Sequence, residues 1–82
     1  MIVTAKMLEG TGIVATKVEP YVDTEGDDAM RVWLIIADDA DEMHLPHEKI
    51  RGLKDQLNPL MSAEFPGKFI YFFIAKEKDI PK

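Results

Sequence analysis

From Ile13 to Val22 side chains alternate in character, with Val14, Thr16 and Val18 on one side and Lys17 and Glu19 on the other. A period of two predicts a strand with one face in water. Pro20 has no N–H to give to a ladder, which places this strand at a sheet edge or at a bulge. Residues 30–37, MRVWLIIA, are apolar on both sides: Met30, Val32, Leu34 and Ile36 form one face, while Trp33, Ile35 and Ala37 form most of the other. Arg31 is the one charge there, and the pattern is that of a central strand. Residues 68–76, KFIYFFIAK, hold seven apolar residues between two lysines and predict a last strand at 69–75. Lys68 and Lys76 stand as gatekeepers beside a segment that is apolar, β-prone and free of proline. Residues 2–8, with Val3, Ala5 and Met7 on one side, predict a further strand at the start.

The connections are polar and carry turn residues. EGTG at 9–12 has two glycines for positive φ, and DTEGDDA at 23–29 is a loop around Gly26. DDADEMHL at 38–45 turns the chain, with room for a short extended piece at 43–45. Pro46 then suits a helix start, and Ile50, Leu53 and Leu57 recur at i, i+3 and i+7. The spacing predicts a helix over 46–58, ended by Asn58-Pro59, with Gly52 marking either a weak point or a close approach to the sheet. Residues 60–67 follow as a loop. The predicted order is β-β-β-α-β: an α+β domain, residues 1–82, with a four-stranded, mainly antiparallel sheet that either stays open or curls into a partly closed barrel.

One helix covers one sheet face. The strands at 30–37 and 69–75 offer apolar side chains on two, and each large one moved out of water contributes about 1.5–3 kcal/mol. In 82 residues without cysteine no disulfide or thiolate-held metal compensates. The second face, with Trp33, Ile35, Tyr71 and Phe73, is therefore expected to be covered by a second copy or by another protein.

Charge adds a second surface. Residues 18–47 hold nine acids against Arg31 alone, a net of −8, whereas the rest of the chain nets +3. Asp23, Glu25, Asp27, Asp28, Asp38, Asp39, Asp41 and Glu42 make up most of the acidic stretch. Such a balance works against direct nucleic-acid binding, which needs lysine and arginine to displace counterions, and favours docking on a basic partner. Phe69, Tyr71 and Phe73 on one side of a strand are placed as base-stacking aromatics are in sheet-type RNA-binding domains, but one helix too few and the acidic charge count against that use.

Catalytic motifs are not found. Ser62, the single serine, lacks flanking glycines, and EGTG lacks the lysine and serine of a phosphate loop. Asp38 and Asp39 point to opposite sides in extended chain. His44 and His47, three apart beside carboxylates, are the weak metal candidates, on spacing alone. In DTEGDD the positions a calcium loop needs as glycine and glutamate hold Asp28 and Leu34. No enzyme and no cofactor is expected.

The expectation is a non-catalytic interaction protein: a small acidic inhibitor or regulator that docks on a basic surface of a larger, nucleic-acid-handling protein, on itself as a dimer, or on both. The alternative is a homo-oligomeric small-ligand binder or minor enzyme with a pocket between subunits, walled by Trp33 and Tyr71 with His44 or His47 as the polar contact. MIVTAKMLEG shows no basic leader ahead of an apolar stretch, and no apolar run spans a membrane, so a cytoplasmic protein is expected.

Overall fold

A computed structural model describes residues 5–80. Along the chain run α1 (Ala5–Leu8), β1 (Ile13–Val22), β2 (Asp28–Ile36), a 3₁₀ turn (Glu42–His44), α2 (His47–Glu64), β3 (Phe69–Lys76) and a second 3₁₀ turn (Glu77–Asp79). Among the described residues the sheet has three strands, in the order β1-β2-β3, and is open. The α+β class holds, but the fourth strand and the barrel do not. Of the strand expected at 2–8, residues 2–4 lie outside the described residues. Residues 5–8 form a helical turn instead, closed where the Thr11 amide and hydroxyl both donate to the Leu8 carbonyl, at 3.1 and 2.6 Å.

β1 matches its alternation along most of its length and pairs antiparallel with β2, with Val22 opposite Asp28, Glu19 opposite Arg31 and Lys17 opposite Trp33. Between them Asp23 organises a tight loop: its amide donates to the Asp27 carbonyl at 3.1 Å, and its Oδ1 accepts from the Glu25 and Asp27 amides at 3.0 and 2.9 Å. β1 is an edge strand, which accommodates Pro20, but the bulge falls at Val14 rather than at the proline. The extra residue turns Ile13 into the core and leaves Val14 exposed, so Val14 does not share the buried face with Thr16 and Val18.

β3 runs parallel to β2, not antiparallel, because α2 carries the chain back to the end of the sheet where β2 began. The helix also passes the expected stop at Asn58-Pro59 and runs on to Glu64. A proline inside a helix costs about 3 kcal/mol. The offsetting term is Met61, which continues the stripe of Ile50, Leu53 and Leu57 by one more turn and is fully buried. Those four residues pack on Val32, Leu34 and Ile36 of β2 and Ile13 of β1, with Ile70, Phe72 and Ile74 of β3 flanking them. The alternation of Met30, Val32, Leu34 and Ile36 against Trp33 and Ile35 thus separates the helix side of the sheet from the uncovered side.

Glycine positions give two predictions of opposite sign. Gly52 sits on the exposed side of α2, and a Cβ there would meet nothing within 4 Å, so it is no close approach to the sheet. Gly52→Ala is expected to raise unfolding stability by about 0.5–1 kcal/mol. Gly26, at φ +82° in the β1–β2 loop, also has open space around it, but an L side chain is strained there. Gly26→Ala is expected to lower stability by about 1–2 kcal/mol. Urea titrations of the two variants check both signs.

Candidate functional site

The side of the sheet away from α2 is built from alternate residues of all three strands. Lys17, Glu19 and Tyr21 come from β1, Ala29, Arg31, Trp33 and Ile35 from β2, and Phe69, Tyr71, Phe73 and Ala75 from β3. Of the four face residues expected from sequence, Trp33, Ile35, Tyr71 and Phe73, all lie on this side. Trp33 and Phe73 are half-buried, Tyr71 is exposed, and Ile35 is 8% exposed and already part of the interior.

The rings pack on one another. Tyr21 meets Tyr71 and Phe73 edge-on, with centroids 5.8 Å apart in each pair, and Trp33 and Phe73 lie 5.5 Å apart at a tilt. Among them sits the Arg31 guanidinium, 4.8 Å from the Tyr21 ring centre, 4.7 Å from that of Trp33 and 5.7 Å from that of Phe73. Arg31 donates through Nε (2.8 Å) and a terminal nitrogen to Glu19 Oε1, which also accepts from Trp33 Nε1 at 2.8 Å. The one cation of the central strand therefore serves as a lid over aromatic surface, held by a cross-strand carboxylate. Lys17 lies 3.8 Å from the other Glu19 oxygen. At the hairpin end Tyr71 donates its hydroxyl to Asp23 Oδ2 at 2.9 Å, joining the face to the acidic loop.

Tyr21, Glu19 and Arg31 belong to this face without being expected there from the sequence. Their signal lies in the hairpin: a loop over Asp23–Asp27 sets Val22 against Asp28, and counting back puts Glu19 opposite Arg31 and Lys17 opposite Trp33. The acidic stretch does not form one surface. Asp23, Glu25, Asp27 and Asp28 sit at the start of β2, and Asp38, Asp39, Asp41 and Glu42 follow its end, about 26 Å away for a nine-residue strand. Several of these carboxylates hold the backbone. Asp41 caps the 3₁₀ turn by accepting from the Met43 amide at 2.9 Å, and Asp38 accepts from the Lys78 amide at 2.8 Å. Asp28 lies 3.9 Å from Lys68.

His44 contacts Asp41 through Nδ1, and His47 opens α2 as an exposed side chain. Among the described residues no three His, Cys, Asp or Glu side chains converge as a metal site would require. Neither histidine is near Tyr71, which is tied to the opposite end of β2. Shallow grooves run between α1 and α2 (Lys6, Glu9, Lys49, Gln56), past the Val14 bulge, and between Asp39–Glu42 and Lys76–Asp79; none of these three is lined by Trp33, Tyr71, His44 or His47. No helix among the described residues is long and apolar enough to cross a membrane.

The buttressing carboxylates are more acidic than usual. Hydrogen bonds from Trp33 and then Arg31 lower the Glu19 pKa, the Asp27 amide and then Tyr71 lower that of Asp23, and His44 and then the Met43 amide lower that of Asp41. A folded-state pKa below the unfolded one means that the stabilisation is complete above the ordinary carboxylate range and is lost as pH falls through the lowered values. The Tyr71 pKa is raised, chiefly by its bond to Asp23, so its contribution is complete below the ordinary tyrosine value and is lost as pH rises through the raised one. Unfolding midpoints are expected to be flat near neutrality, to fall below about pH 4.5 and to fall again above about pH 10. Tyr71→Phe should remove the alkaline limb that belongs to this bond.

Comparison with protein-family models, curated proteins and solved structures finds no match to this chain.

Proposed function

We propose that the protein is a non-catalytic interaction module that docks on a partner protein through the uncovered face of its sheet. One observation supports this most: Tyr21, Trp33, Phe69, Tyr71 and Phe73 gather on one face that no part of α2 covers, and Phe69 stays 56% exposed while Tyr71 stays 37% exposed. Aromatic rings bring large contact area at low entropy cost, and Arg31 among them is the cation most often found in such contacts.

The partner is a protein with an apolar centre and lysine or arginine beside it. Glu25 and Asp27 border the face at the Tyr71 end and would meet those cations. A basic surface of a nucleic-acid-handling protein has that chemistry, which makes a small acidic inhibitor or regulator the favoured role. Of the two acidic clusters, the hairpin is the one joined to the aromatic face.

The test is affinity capture from the source cells with the wild-type chain and with Phe69→Ser/Tyr71→Ser, followed by titration of the captured protein. Both chains should give native circular dichroism, and only the wild type should retain the partner. Charge reversal at Glu25 and Asp27, leaving Asp23 in place, is expected to weaken binding at least tenfold at low salt. Binding indifferent to both changes would sink the proposal.

A further inference from the structure

The two edges of the sheet are treated differently. β1 carries Pro20, the bulge at Val14 and the charges of Lys17 and Glu19, all devices that discourage another strand from adding. β3 carries neither proline nor bulge, and its charges, Lys68 and Lys76, stand only at its two ends. It is an eight-residue strand without proline, glycine or bulge, in unbroken register with β2 from Phe69 to Lys76, and among the described residues no further strand pairs with its outer side. In a parallel pair every second residue of an edge strand points its N–H and C=O away from the sheet, and those groups are a template for one more strand.

The sequence of β3 indicates which strand. About Phe72 the segment is nearly its own mirror: Tyr71 matches Phe73, Ile70 matches Ile74, Phe69 matches Ala75, and Lys68 matches Lys76. An antiparallel pair around a two-fold axis sets each residue against its mirror position. With the axis perpendicular to the sheet, facing residues share a side, so the axis must fall midway between one residue and the same residue of the second copy. We propose that β3 pairs with β3 of a second copy, antiparallel about Phe72, to make one six-stranded sheet.

Both sides of the strand gain by it. On the helix side Ile70, Phe72 and Ile74 are only half-buried, because the core ends there, and the same three side chains of the second copy would extend it. On the other side Tyr71 would face Phe73 of the second copy, and exposed Phe69 would face the small Ala75. The like charges at the rim, Lys68 opposite Lys76, have counter-ions in their own chain: Asp28 is 3.9 Å from Lys68, and Lys76 shares a groove with Asp39, Asp41, Glu42 and Asp79. The pairing uses the edge, not the aromatic face, and would double that face into one continuous surface.

Sedimentation of the full chain from micromolar to near-millimolar concentration should show a reversible species of twice the chain mass. Tyr71→Lys/Phe73→Lys places like charges opposite each other across the axis and should be monomeric. Tyr71→Lys/Phe73→Glu removes the same aromatic area but pairs lysine with glutamate, and should dimerise. Circular dichroism checks that both remain folded. Because the chain has no cysteine, a mixture of Tyr71→Cys and Phe73→Cys chains should also cross-link on oxidation, whereas neither alone should. A wild-type monomer at every concentration, equal association of the two double variants, or no preference for the mixed cross-link would each overturn the pairing. The docking proposal for the face would survive any of these results.

Discussion

Leu57→Ala is expected to lower the unfolding free energy by about 2–5 kcal/mol, with a matching fall in the urea midpoint and little change in slope. Leu57 has no solvent exposure and lies in the stripe of α2 that covers Val32, Leu34 and Ile36. Truncation removes its transfer free energy and leaves a cavity that the neighbours fill only in part, because the sheet holds one wall and Leu53 and Met61 hold the other. A chain of this length has about 4–12 kcal/mol of stability in all, so the variant should lose a large fraction of it and unfold at a clearly lower temperature. Leu60→Ala is the control. Leu60 lies three positions on, in the same helix, but is 46% exposed, and its loss should change the midpoint only slightly. Equal effects at the two positions would mean that α2 does not present this stripe to the sheet.

The stripe is legible in the sequence because positions i, i+3 and i+7 fall on one side of a helix and on both sides of a strand. β1 and β2 are legible to within two residues for a similar reason: alternation in one and two-sided apolarity in the other follow directly from the pleat. Pattern fails where tertiary burial outweighs a local signal. Pro59 reads as a stop, yet burial of Met61 one turn after Leu57 draws the helix through it. Residues 5–8 alternate well enough for a strand, but Thr11 closes them into a helical turn. The parallel sense of β3 is open to deduction, since a helical crossover between adjacent strands reverses direction twice.

The candidate face is legible by side and incomplete by partner. Period two alone puts Trp33 and Ile35 together, and Tyr71 and Phe73 together. Only the register of the β1–β2 hairpin brings Glu19 and Tyr21 to Arg31, and register is set by the Asp23 loop, whose hydrogen bonds are not a pattern in composition. Linear charge misleads in the opposite way. Eight carboxylates near one another in sequence read as one surface, but a fully paired nine-residue strand holds the two halves apart. The second face, apolar by sequence, is also partly covered from within, because the single cation of β2 lies over the rings instead of reaching into water.

Arg31→Met should show how much that lid contributes. Methionine keeps much of the length and the apolar stem of the side chain and removes the planar charge, so the rings keep a neighbour but lose the cation above their faces. Each such contact at a half-exposed site is worth about 0.5–1 kcal/mol, and three shared by one guanidinium do not add fully, so a loss of about 1–2 kcal/mol is expected. Arg31→Lys should recover less than half of it, since an ammonium cannot both lie flat on Trp33 and bond Glu19 through two nitrogens. Trp33 gives a local readout: its indole donates to the same Glu19 oxygen that Arg31 bonds, and without the guanidinium its fluorescence should shift with solvent exposure and become easier to quench. A double-mutant cycle with Glu19→Gln should return a coupling of the same sign as the stability loss, because the carboxylate and the guanidinium position each other. If Arg31→Met were as stable as the wild type, with unchanged Trp33 emission, Arg31 would be a solvated charge beside the aromatics, and the uncovered face would be more apolar than its geometry implies.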